Sequence, residues 1–219
     1  MTTEQRRLAR TVKQHAEGLR ALGVTALPVS PPRHSDKETR LAALAREVKR
    51  CTRCPLYRTR THAVVSDGSP NARLVFVGEA PGREEDRQGK PFVGAAGQLL
   101  TKMIEAMGMK RAEVYICNVL KDRPPSNRTP LPEEMEACLP FLQEQLAIIQ
   151  PTIICVLGAV AAKALLGPHV AITKIRGTMH TYQGIPLMPT FHPAYLLRNP
   201  PAKRFVWTDL KKVKKLLEE

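Results

Sequence analysis

Four short apolar runs, Leu74 to Val77, Val114 to Cys117, Thr152 to Leu157 and a shorter one at Leu187 and Met188, punctuate the chain. Between them lie Ala95 to Met107, Pro132 to Ile149 and Ala159 to Leu166, where apolar residues recur three or four positions apart. Strand-length runs alternating with helical ones predict an α/β domain: a central, mainly parallel sheet with helices on both faces. In that architecture functional residues gather on loops at the carboxyl ends of the strands.

Upstream, Leu8, Val12, Leu19 and Leu22 fall at near-helical spacing among basic residues, which fits either a short amphipathic helix or a solvated tail. Ala26-Leu27-Pro28-Val29-Ser30-Pro31-Pro32 then interrupts any helix, because each proline fixes φ and removes a backbone donor. Ser35 with Glu38 has the pattern of a capping box, and Leu41, Leu44 and Val48 give the following helix an apolar face. The chain therefore divides into a basic extension with a Pro-rich linker over residues 1–35 and a folded domain over 36–219.

Lys and Arg number 34 against 20 Asp and Glu, a formal charge of +14 that favours a polyanionic partner. No apolar run approaches the roughly 20 residues that cross a bilayer, and the start, MTTEQRRLAR, lacks an apolar signal core. A cytoplasmic, monomeric protein without a membrane partner is expected. Of the five cysteines, Cys51 and Cys54 form a CxxC pair, which in a long intracellular chain points to metal ligation rather than a disulfide framework.

The first strand leads into Gly78-Glu79-Ala80-Pro81-Gly82 and on to Lys90-Pro91-Phe92-Val93-Gly94; Asn118 follows the second; and Phe191-His192-Pro193-Ala194-Tyr195-Leu196-Leu197-Arg198-Asn199-Pro200 lies near the end. Together and in this order, over roughly residues 45 to 217, these motifs resemble the iron–sulfur, family 4 uracil-DNA glycosylases. The resemblance implies a uracil-DNA glycosylase-like three-layer fold and a monofunctional enzyme that hydrolyses the bond between uracil and deoxyribose, starting base excision repair of uracil-containing DNA. The nucleotide must leave the stack and enter a pocket for this chemistry.

The resemblance places Gly78, Phe92, Asn118 and His192 around uracil. Phe92 offers a face for stacking. Asn118 can donate to O4 and accept from N3–H, a pattern cytosine reverses. His192 would donate to O2 as negative charge collects on the departing base. Glu79 would orient water and offset positive charge on the sugar. The GQDPYH motif of family 1 has aspartate and tyrosine where this chain has Ala80 and Gly82. Leu196, or Leu197 in its place, would wedge into the gap left by the flipped base. Arg198, with Lys203, Arg204, Lys211 and Lys212, would bind phosphate, although Lys211 and Lys212 fit the wet face of a terminal helix equally well.

A [4Fe–4S] cluster is also implied, on four cysteines. Cys51, Cys54 and Cys138 match three of them, while Lys121-Asp122-Arg123-Pro124-Pro125 carries aspartate where the family motif, KCRPP, has the remaining one. Asp122 is then the expected fourth ligand, a harder donor that would leave one iron labile. Cys117 precedes Asn118 on the strand and should point elsewhere; Cys155 reads as a buried thiol. Two alternatives stand beside this reading: a glycosylase of the same fold for another deaminated base such as hypoxanthine, and a non-catalytic iron–sulfur DNA-binding protein.

Overall fold

The computed structural model describes residues 34–219; the proposed tail helix and proline linker lie outside them. The first described helix, α1, spans His34–Arg50, so it begins just before the anticipated domain start. It buries Leu44 and Val48, with Leu41 half-buried.

Six strands form one sheet in the order β1-β3-β2-β4-β6-β5. The parallel centre comprises β2 (Leu74–Gly78), β3 (Tyr115–Asn118), β4 (Ile153–Leu157) and β6 (Ile185–Thr190). Two short antiparallel strands, β1 (Asp67–Gly68) and β5 (His180–Tyr182), close the edges. The expected α/β class holds.

Side chains on successive strand residues face opposite ways, and both faces are covered. Val75, Val77, Tyr115, Cys117, Ile154 and Val156 join one core, beside Leu142 and Leu146 of α4 (Pro132–Ile149) and Ala161, Ala162 and Leu165 of α5 (Ala159–Leu166). Leu74, Phe76, Ile116, Ile153, Cys155 and Leu157 join the other, against Leu100 and Ile104 of α3 (Ala95–Ala106) and Val206, Leu210 and Val213 of α8 (Lys203–Glu218). Double burial is why these strands read as continuous apolar runs. The remaining helices are α2 (Arg83–Gln88), α6 (Ile172–Ile175) and α7 (Pro193–Arg198).

The chain moves from β2 to β3 on one side of it and then returns to β4 on the other. This reversal parts the loops beyond the carboxyl ends of the strands and opens a crevice there. Among the described residues, no helix is long and apolar enough to cross a membrane.

Candidate active site and thiol recess

A cleft of about 430 Å³ occupies that crevice, lined by Glu79 to Gly82 after β2, Asn118 at the end of β3, Phe92 and Glu85 from the intervening loop and helix, and His192, Ala194, Tyr195 and Arg198 after β6. The structure thus brings Glu79, Phe92, Asn118, His192 and Arg198 together from separate parts of the chain. Gly78 lies beneath them. A Cβ there would meet the Phe92 ring at 2.5 Å and would collide with Asn118 Oδ1, so only glycine lets the ring and the amide meet over the strand end.

Phe92 is buried and holds φ at +53°, an unusual backbone for an aromatic residue. Its loop is gripped on both sides. Glu85 Oε1 accepts from the backbone N–H groups of Val93 (2.9 Å) and Gly94 (2.8 Å), and its other oxygen accepts from Gly82 N–H at 3.1 Å. Arg111 donates to the Pro91 carbonyl at 2.7 Å. One carboxylate therefore ties the first-motif loop to the Phe92 loop. Sequence reasoning missed Glu85 and Arg111; the only local signal was the position of Glu85 three residues after the helix-capping Gly82.

His192 caps α7: its Nδ1 accepts from Ala194 N–H at 3.1 Å. A neutral imidazole bound this way carries its proton on Nε2, leaving that N–H as the donor for the cleft. Burial, helped by the nearby positive charge of Arg198, pushes the His192 pKa down to about 4, so the ring is neutral at pH 7. Its ring centroid lies 5.6 Å from that of Phe92. Gly158, with φ of +90°, lets β4 end against this histidine; a Cβ would stand 2.9 Å from its own Cβ. Burial raises the Glu79 pKa above the usual carboxylate range.

The Asn118 side-chain oxygen is buried without a hydrogen-bond partner. Such an orphan acceptor costs roughly 1 to 3 kcal/mol in an empty pocket, and a ligand N–H removes that cost. Behind it, Lys121 is fully buried: its Nζ donates to the Asn118 main-chain carbonyl (2.7 Å) and to Gln145 Oε1 (2.6 Å). Burial pushes the pKa of this lysine down.

Leu196 departs from expectation. It is 1% exposed and packs in the core against α3 and α8, whereas the adjacent Leu197 is 46% exposed. Arg198 is exposed and has no ion-pair partner among the described residues, whereas the cleft residue Arg128 is paired with Glu134 at 2.5 Å. Lys203, Arg204 and Lys211 are exposed, and Lys212 donates to the Gly177 carbonyl at 2.6 Å.

A second recess, on the α1 and α4 side, is lined by Cys51, Cys54, Lys121, Asp122, Cys138 and Phe141 among others. Each of the three thiols receives a backbone N–H, from Arg53 (3.5 Å), Leu56 and Lys121 respectively. Amide donors aimed at sulfur favour thiolates of the kind that hold iron–sulfur clusters. Among the described residues, no three Cys, His, Asp or Glu side chains are arranged around a single metal ion. In the protein alone, burial raises the thiol pKa of Cys54 and pushes that of Cys138 up to about 11. Asp122 is engaged by Arg60, whose Nη1 donates to both carboxylate oxygens at 2.9 and 3.1 Å. Cys117 and Cys155 are buried in the two sheet cores and do not line the recess.

The family model described as the uracil DNA glycosylase superfamily matches residues 65–211. A type-4 uracil-DNA glycosylase of Thermotoga maritima is 48% identical over 187 residues, covering 84% of this chain and 97% of the relative. Similar proteins of the same name occur in Sulfurisphaera tokodaii (44% identity; 80% of this chain, 84% of the relative) and Archaeoglobus fulgidus (41%; 79% and 91%). The chain belongs to the uracil DNA glycosylase superfamily and, within it, to the type-4 uracil-DNA glycosylases.

Proposed function

We propose that the protein is a monofunctional uracil-DNA glycosylase that opens base excision repair by hydrolysing the N-glycosidic bond of uracil in DNA. The observation that carries this reading is the partnerless Asn118 oxygen in a cleft that also presents Phe92 and a neutral His192. A flipped uracil stacked on Phe92 offers its N3–H to that oxygen, and cytosine, with no N3–H, leaves it unsatisfied.

As the C1′–N1 bond lengthens, its electron pair passes into the base and charge grows on O2. The Nε2–H of His192 stabilises that charge without giving up its proton, because the ring is a donor fixed by its Nδ1 contact. Glu79 orients water toward C1′ and takes its proton as the new C–O bond forms. Its half-buried carboxylate is a stronger base than an exposed one. The products are free uracil and an intact strand with an abasic site. Leu197 fills the vacated stack, and Arg198 binds backbone phosphate.

Cys51, Cys54 and Cys138 would hold an iron–sulfur cluster, with Asp122 beside its fourth corner. The cluster's part is to brace loops, since hydrolysis needs no electron transfer.

The test is release of free base from oligonucleotides containing uracil, hypoxanthine or thymine, with alkali treatment to reveal abasic sites. Release of uracil is expected. Preferential release of hypoxanthine would move the assignment to another deaminated base, and binding without release would make the protein a non-catalytic DNA binder.

A further inference from the structure

Lys121 is a buried lysine without a carboxylate partner among the described residues. Burying an amine is costly, and this one spends its donors on two neutral oxygens. One belongs to the main chain of Asn118, where β3 ends; the other to Gln145 of α4, whose own amide donates to the Val65 carbonyl (3.0 Å) and the Tyr115 hydroxyl (3.1 Å). Either protonation state of the amine has enough N–H groups for both contacts. The Lys121 backbone N–H meanwhile serves Cys138, and its carbonyl accepts from Val64 N–H at 2.7 Å. The base-reading residue, the thiol recess and the long helix between them thus meet at one residue.

Resting on the uracil reading of Asn118, we propose that Lys121 is a positioning residue for base recognition. Its ammonium or amine pins the Asn118 carbonyl and so fixes the peptide from which the reading amide projects. The Asn118 side chain has no hydrogen bond of its own through its oxygen, so its aim depends on the backbone that carries it. The N–H of that same peptide, from Val119, donates to the Gly78 carbonyl at 3.0 Å, and the lysine reaching back from three residues on holds its carbonyl side.

The full chain with Lys121→Met is compared with Leu165→Ala, a core variant on α5 that touches neither group, at matched loss of Tm. Lys121→Met is expected to lower kcat/KM for uracil by about 10- to 100-fold, the scale for misplacing a site group by around 1 Å, while Leu165→Ala keeps it near the parent value. Iron content should stay unchanged, because the Cys138 contact is a backbone one. The side-chain amide resonances of Asn118 in nitrogen-15 NMR, assigned through Asn118→Asp, should broaden or shift in Lys121→Met without any substrate. Should Lys121→Met not fold, Lys121→Gln, which keeps a donor too short for the carbonyl, is read by the same two measurements. Parent-like kinetics and amide resonances in the lysine variant, or equal kinetic losses in both variants at equal Tm, would overturn the proposal. If the parent protein releases no uracil but the Asn118 resonances still respond to Lys121, the uracil reading fails and the positioning role stands.

Discussion

Arg60 clamps Asp122: its Nη1 lies 2.9 Å from Oδ2 of that carboxylate, while the same guanidinium donates to the main-chain carbonyls of Cys51 and Lys49. Both side chains are largely buried, so the pair is shielded from solvent. Burial raises the Asp122 pKa and Arg60 opposes that rise, favouring the ionised carboxylate. The segment bearing Cys51 is therefore joined to the loop after Asn118 by protein contacts alone.

Each carboxylate oxygen has lone pairs beyond those used by Arg60, so Asp122 can serve both the arginine and an iron. Asp122→Cys should make the cluster more resistant to oxidation, and Asp122→Ala should yield a three-iron form or an exchangeable fourth ligand. Iron counting and electron paramagnetic resonance on protein prepared without oxygen read both outcomes. An equally robust four-iron cluster in Asp122→Ala would remove the carboxylate from the ligand set.

His192 and Glu79 separate in their pH behaviour. A histidine with pKa near 4 stays neutral through the physiological range, so kcat/KM should show no limb near 6.5. The acid limb should instead follow Glu79, above the usual carboxylate pKa, with activity falling as pH drops through it. For stability the sign follows from His192 being depressed in the folded state. Its neutral form contributes fully above about 6.5, and that contribution is lost as pH falls from there toward 4. His192→Ala should reduce kcat about 10²- to 10³-fold, the usual cost of one such donor. A limb at 6.5 in the parent, absent from His192→Gln, would show that the ring titrates normally.

The central strands were legible because double burial writes itself as uninterrupted apolar runs, Leu74 to Val77 and Ile153 to Leu157 above all. β6 was only partly visible, since Pro186 and Pro189 are poor strand formers; Pro186 is tolerated facing the three-residue edge strand β5. The motif residues lining the cleft were legible through their loops. Glu85, Arg111, Arg60 and Lys121 were not, because a charged residue in a sequence looks like surface until folding brings a carbonyl or carboxylate to it. Leu196 and Leu197 are adjacent and chemically alike, and only packing against α3 and α8 decides which is inside.

That distinction is measurable. Leu197→Ala should leave Tm nearly unchanged and lower uracil release from duplex DNA more than from single strands, because only the duplex has a gap to fill. Leu196→Ala should cost about 2 to 5 kcal/mol of stability, as for other leucines removed from a core. Equal effects on duplex and single-stranded substrates in Leu197→Ala would deny it the wedge role.

The missing side chain of Gly78 shapes the pocket. Its φ is not in the left-handed region, so alanine fits the backbone and the strand should form. The added methyl, however, would stand 2.5 to 2.6 Å from two Phe92 ring atoms and against Asn118 Oδ1, well inside van der Waals contact. The Phe92 loop has little freedom to retreat, being held by Glu85 on one side and Arg111 on the other. Ring and amide must then tilt away from the base, lowering kcat/KM for uracil by about 10²-fold with a smaller change in Tm. Gly78→Ala combined with Phe92→Leu, which shortens the side chain that the methyl strikes, should recover part of the loss relative to the product of the single effects. Strict additivity in that cycle would show that the glycine and the phenylalanine act on the base independently.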